Sequence, residues 1–342
     1  MYYRIFFTSL FWMLLSCVYS SAQTEKKIRV IGDFDYEKTD YLFVGELHYL
    51  RDRDSLLSSV TEFAYEKCNM RNVVLEIGHS AAQIINDYIQ KNDSSIFFYN
   101  FKPTQLQVFE KWRSINRTLA PENQIRVYGI DFERMAFVKV LKNIFKKHDD
   151  ARSTSLFKYV NSIPDSVCSY SSLERRHTKV RKRTYSKARH FFADDKDRLK
   201  ELLKEDYEIV RSILENPCTE RKFARRDKFM AMNLAKQIGT QRFICELGEH
   251  HTEITRKRSV FSRFIRQDSA LEHKTALATV ICRTSYHPGY IVKNNAVLSL
   301  AYNDYYSTAH FSLINEKHFG GLIENNNYNV SNYFIFFNYK ID

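Results

Sequence analysis

The sequence predicts an α/β fold: a mainly parallel sheet with helices on both faces, interrupted by a helical insertion. Three observations carry this. Four apolar runs of strand length alternate with segments of helical period, the pattern of a covered parallel sheet. Each of these runs stops at acidic residues, alone or with histidine. Glycine and proline are scarce, 9 and 5 in 342 residues, which disfavours an all-β chain whose tight turns need positive φ.

The elements follow in order. Met1-Tyr2-Tyr3-Arg4 is a short basic start, residues 5–18 are mostly apolar, and Ser20-Ser21-Ala22 places small residues before Gln23. That pattern predicts a signal peptide over residues 1–22 and an exported chain from residue 23, since the apolar stretch is too short for a stable span. Leu14-Leu15-Ser16-Cys17 is a loose lipidation site, to which the Ala22 cleavage site is preferred. The first core strand is Tyr41-Leu42-Phe43-Val44, running into Gly45-Glu46-Leu47-His48. A helix is predicted over 54–70. The strand Asn72-Val73-Val74-Leu75 then ends in Glu76-Ile77-Gly78-His79. Helices over 80–90 and 104–119 lead to a strand over 125–130 that ends in Asp131-Phe132-Glu133. After a helix over 137–147, residues of about 151–224 change in composition, with a dense basic run from Arg175 to His190 and then a helical apolar period. This is the predicted insertion. The strand Arg242-Phe243-Ile244-Cys245 ends in Glu246-Leu247-Gly248-Glu249-His250-His251, and further strands are predicted at 276–283 and 333–339.

Composition excludes some classes. With 44% hydrophobic and 27% charged residues the chain is globular rather than disordered or of low complexity. Its net charge of +12 implies attraction to anionic surfaces without naming one. The basic insertion reads first as a solvated helix face, and second as a surface that meets anionic lipid, polysaccharide or substrate. Export and the lack of any nucleic-acid-binding motif argue against DNA or RNA as a partner. Beyond Cys17, the cysteines are Cys68, Cys168, Cys218, Cys245 and Cys282. Cys168 and Cys218 are able to pair in an oxidising compartment, and without any CxxC a thiolate zinc site is disfavoured.

The strand ends carry the chemistry. Ligands of an open α/β sheet bind outside the carboxyl ends of its strands. Glu46, His48, Glu76, His79, Asp131, Glu133, Glu249, His250 and His251 are therefore placed to converge although far apart in sequence. Histidine is the side chain naturally poised to activate water near neutral pH, and a neighbouring glutamate orients it. Glu76 is expected to share its pocket with the like-charged Glu46. His251, with an arginine such as Arg226, is expected to stabilise a developing oxyanion. There is no Gly-x-Ser-x-Gly elbow, so water rather than serine is the expected nucleophile.

Taken in order, Gly45-Glu46-Leu47-His48, Glu76, Val127-Tyr128-Gly129-Ile130-Asp131, the run from Arg226 to Asn233, and Gly248-Glu249-His250-His251 resemble the erythromycin esterase-like family. That family shares a superfamily with haem-binding ChaN proteins and TIKI metalloproteases. The resemblance spans residues of about 40–255 and implies catalytic roles for Glu46, His48, Glu76 and His251, with Asp131, Arg226 and His250 facing the substrate. The family's late motif carries a His or Asn that is absent here, and His250 is additional. The implied activity is hydrolysis of an ester or related bond in a small-molecule or envelope substrate. No cofactor is expected; a divalent metal held in the TIKI manner, or haem held without turnover, are the alternatives.

Overall fold

The computed structural model describes residues 28–30, 39–46, 53–94, 96, 101–165, 175–218, 223–252, 258–267, 275–280, 311–315 and 333–336. Residues 1–22, His48, Cys168 and Cys282 lie outside them, as do the side chains of Glu46 and Glu249.

The four core strands form as the apolar runs require. They are β2 (Thr39–Glu46), β3 (Asn72–Leu75), β4 (Arg126–Gly129) and β5 (Phe243–Gly248), preceded by a short β1 (Ile28–Val30). With β6 (Thr275–Val280) they make a five-stranded sheet in the order β4-β3-β5-β2-β6, every pair parallel. The predicted strand at 276–283 is thus described as 275–280, and that at 333–339 as β8 (Tyr333–Phe336). The sequence reading did not anticipate β1 or β7 (Phe311–Asn315), which with β8 form a second sheet ordered β1-β7-β8.

Side chains alternate across the main sheet, as strand geometry demands. Leu42, Val44, Val73, Leu75, Val127 and Ile244 enter one buried cluster, while Tyr41, Phe43, Val74, Phe243, Cys245 and Leu247 enter the other. The first face is covered by α1 (Arg53–Cys68), α2 (His79–Lys91), α3 (Pro103–Asn116) and α4 (Ala136–Phe145), which contribute residues such as Val60, Ile85, Trp112 and Leu141. The second is covered by α9 (Phe223–Ile238) and α11 (Val260–Gln267), through Met230, Leu234, Phe261 and Phe264. Aromatic edges lock that side: Phe43 meets Phe261 edge-on at 5.0 Å, and Tyr41 meets Phe264 at 5.4 Å. Such pairs add about 0.5–1.5 kcal/mol each beyond their buried area.

The insertion is helical as predicted. It holds α5 (Ser155–Ser162), α6 (Arg175–Asp194), α7 (Lys196–Leu203) and α8 (Tyr207–Glu215) before α9 begins. Its apolar residues Leu156, Tyr185, Ala188, Leu199 and Val210 join the cluster on the first face of the sheet. Cys218 is a free thiol. No helix among the described residues is long and apolar enough to cross a membrane.

One close approach fixes the loops that matter. A Cβ on Gly129 would stand 2.4 Å from the carbonyl oxygen of Gly78. Only a residue without a side chain lets the end of β4 lie against the loop that follows β3.

Candidate active site

Because every strand of the main sheet is parallel, the carboxyl ends share one edge. Leu75 is in register with both Gly129 and Glu246, and Glu46 with Gly248. The residues just beyond β3, β4 and β5 are therefore neighbours: Glu76, Asp131, and His251 on the short α10 (Glu249–Thr252).

Arg226 ties them together. Its Nε donates to Asp131 Oδ1 and its Nη2 to Asp131 Oδ2, each at 2.9 Å, the bidentate fork that a guanidinium makes with a carboxylate. Nη2 also donates to Glu76 Oε1, and Nη1 lies 3.3 Å from His251 Nε2. The other oxygen of Glu76 accepts the Gly248 N–H at 2.8 Å. Burial opposes the charge on Arg226, but Asp131 and Glu76 more than offset it and hold the guanidinium firmly protonated.

His251 is fixed from behind. Its Nδ1 is 2.8 Å from Asp227 Oδ1, in a pair whose side chains are 2% and 0% exposed. Arginine can only donate, so Nε2 accepts from Arg226 and the ring proton sits on Nδ1, where Asp227 receives it. Nε2 also faces Glu76 Oε1 at 3.6 Å.

Helix α9 supplies both Arg226 and Asp227, and its docking is specific. Phe229 stacks on Phe132 at 5.3 Å, and Asn233 donates to the Ile130 carbonyl at 3.0 Å. Arg226, Phe229 and Asn233 are spaced i, i+3, i+7, so one face of the helix grips the loop after β4.

Beneath that loop lies Glu133, fully buried. It accepts from the Ser80 hydroxyl, from the Ser80 N–H at 3.3 Å and from Asn216 Nδ2 at 2.8 Å. Helix α2 has no side-chain cap of its own at Gly78, and this carboxylate serves its first turn instead. Burial pushes the Glu133 carboxyl up to about 7, although its hydrogen bonds to Ser80 and Asn216 pull the other way. Asn216 bridges further, donating to the Asp131 carbonyl at 2.9 Å and accepting from Asn233 at 3.2 Å.

The structure brings together Glu76, Asp131, Arg226 and His251. His250 is half-buried on α10 beside His251. His79 belongs elsewhere: its Nδ1 is 3.0 Å from the Ser212 carbonyl and its Nε2 is 3.0 Å from Gln237. Burial drives its pKa down to about 4. Beside Glu76 the structure places the cation Arg226, with Asp131 on the same guanidinium; the like charge expected from Glu46 lies outside the described side chains. Asp227 and Asn233 lie in the family-like run from Arg226 to Asn233 but carry no role in the sequence analysis, and Asn216 does not figure in it. Asp227 had a usable signal, since Met230, Ala231, Leu234 and Ile238 follow it at i+3, i+4, i+7 and i+11 and mark it as facing the core.

A divalent metal does not fit the His251–Glu76 pair. The free lone pair of His251 is at Nε2, and the Arg226 guanidinium stands 3.3 Å from it, where a second cation would be repelled. Among the described residues no group of three or more His, Cys, Asp or Glu side chains is arranged to hold a metal ion.

No protein-family model matches the sequence, and no curated protein does either. Several solved structures are similar to the chain over 72% of its length. One is a structural-genomics protein from Bacillus cereus, 12% identical, with 67% of its chain covered and a TM-score of 0.49. Another is a mutant of the erythromycin esterase EreC in its open conformation, 16% identical, 71% covered, TM-score 0.41. A third is ChaN of Campylobacter jejuni with cofacial haem, 16% identical, 83% covered, TM-score 0.30.

Proposed function

We propose that the chain is an exported hydrolase of the erythromycin esterase-like type, in which an activated water attacks an ester or related bond. The observation that carries this reading is the held guanidinium of Arg226. Among the described residues, four of its five N–H groups are bonded to Asp131, Glu76 and His251, which leaves one hydrogen on Nη1. Its side chain is 21% exposed while those of Glu76, Asp131, His251 and Asp227 are 7% or less. A fixed cation with one donor left over is suited to the negative charge that develops on a carbonyl oxygen under attack.

In this proposal His48 is the general base that takes a proton from water, and Glu46 orients it. Their support is the motif and the register: Glu46 ends β2 beside Gly248, whose N–H holds Glu76. Glu76 and Asp131 keep Arg226 in place, Asp227 keeps His251 in one tautomer, and His250 borders the substrate. Export rests on the N-terminal pattern ending at Ala22. The substrate is a small molecule or an envelope component bearing an ester-type bond.

The test is a panel of nitrophenyl esters and macrolactones, run on purified protein with and without a chelator. Turnover that survives chelation and is lost in R226A supports the proposal. A protein that binds haem with a Soret shift and turns over no ester in the panel overturns it.

A further inference from the structure

The basic insertion encloses an open hollow of about 520 Å³, within the size range of small-molecule sites. Lys182, Ser186, Arg189, His190 and the buried Tyr185 line it, all from α6. Pro217 and Cys218, just after α8, complete its lining. The spacing places Lys182, Ser186 and His190 at successive i+4 steps, with Tyr185 and Arg189 one row over, so a single helix face presents the three cations that line the hollow.

Lys182 is half-buried and Arg189 and His190 are exposed at the rim, and among the described residues no carboxylate lines the hollow. His190 lies 3.6 Å from Asp194, one turn along the helix. The field of these cations is felt inside: burial raises the Cys218 thiol, while Arg181, Lys182 and Arg189 each draw it down. Several cations gathered in one concavity repel one another and are relieved by an anion with several oxygens. Lys182 and Arg189 stand two turns apart, roughly 10 Å along the axis, a span that one ligand bridges through more than one anionic oxygen.

We propose that this hollow is a binding site for a small molecule carrying phosphate groups, recognised by Lys182 and Arg189 with Ser186 and His190 in support. The site is separate from the Arg226 cluster, yet it touches the same loop. Tyr185 donates its hydroxyl to the Ile213 carbonyl at 2.6 Å and to that of Asn216, and the Pro217 carbonyl accepts the Glu133 N–H at 2.9 Å. An occupant therefore rests against the segment that supports Asp131.

Cys218 makes the site measurable. The reduced protein, freed of reductant, is labelled with N-ethylmaleimide, and the Cys218 peptide is quantified by mass spectrometry with and without inorganic pyrophosphate. Saturable pyrophosphate binding at about 1 mM or below by calorimetry is expected. Pyrophosphate should slow Cys218 labelling by about fivefold at saturation, and the K182Q/R189Q variant, which keeps the side-chain stems, should lose about tenfold in affinity together with that protection. A melting temperature close to the parent's verifies that the variant is folded. The proposal is overturned if pyrophosphate does not bind, if the variant binds it equally well, or if only phosphatidylglycerol vesicles are bound while pyrophosphate is not.

Discussion

Arg226 and Asp131 meet through two parallel hydrogen bonds, Nε to Oδ1 and Nη2 to Oδ2, both 2.9 Å long. The same Nη2 reaches Glu76, so one guanidinium is the shared counter-charge of two buried carboxylates. Removing it takes that charge from both. R226A is expected to cost about 3–5 kcal/mol of stability, the usual penalty for breaking a buried pair from one side. R226K keeps the charge but not the planar fork, so it should lose less stability and still lose about 10²–10³ in kcat. Urea unfolding beside steady-state kinetics separates the two effects. Equal stability of R226A and the parent would refute the clamp.

His251 depends on Asp227 for its orientation. D227A leaves the Nδ1–H buried without an acceptor and should cost about 1–3 kcal/mol. D227N retains an acceptor oxygen, so its stability should fall by less. It also removes a carboxylate whose Oδ2 has no hydrogen-bond partner among the described residues. Both variants should lower kcat, because an imidazole held in the wrong tautomer no longer faces Glu76 and Arg226 in the same way. If D227N and D227A unfold at the same urea concentration as the parent, the pair is not what fixes the ring.

Glu133 gives a pH signature. Its carboxyl titrates near 7 in the folded chain against an ordinary 4.5, chiefly because burial disfavours the anion. The folded state therefore holds this proton more tightly than the unfolded state. Its contribution is fully present below about pH 4.5, declines as pH rises through 7, and is flat above that. The change is at most about 3 kcal/mol. E133Q, which is neutral throughout, should lack it. The stability difference between parent and E133Q, from urea unfolding at several pH values between 5 and 8, should move against the parent as pH rises. A difference that does not vary with pH would place the titration elsewhere.

The framework was legible because the apolar runs are short, rich in Val, Ile and Phe, and bounded by acids. Tyr41 to Val44, Asn72 to Leu75 and Phe243 to Cys245 need no context to read as strands. Strand order was not legible. β5 enters between β2 and β3 although 167 residues lie between Leu75 and Phe243, a pairing that local pattern does not encode. Of the site, Glu76, Asp131 and His251 were visible because each lies within three residues of a strand's carboxyl end. Asp227 was masked by its company, since Arg225, Arg226 and Lys228 make the stretch look like a solvated face. Asn216 is an ordinary helix-end asparagine until α8 is docked beside Asp131, and that contact is made only in three dimensions.

His48 carries the last prediction. In the proposed reaction its imidazole accepts the proton of the attacking water, while Arg226 meets the charge that forms on the carbonyl oxygen. The two residues thus act on different atoms, and their losses should differ in kind. H48Q should lower kcat by about 10²–10⁴, the usual worth of general-base catalysis, with KM little changed. The parent rate should rise with pH through a limb at about 6–7, where an unperturbed histidine loses its proton. That limb should vanish in H48Q and persist in R226K, because R226K leaves the base intact. Steady-state kinetics from pH 5 to 9 on the best ester of the panel make the comparison. If H48Q keeps the limb, another group is the base, and the role assigned to the Gly45-Glu46-Leu47-His48 motif is wrong.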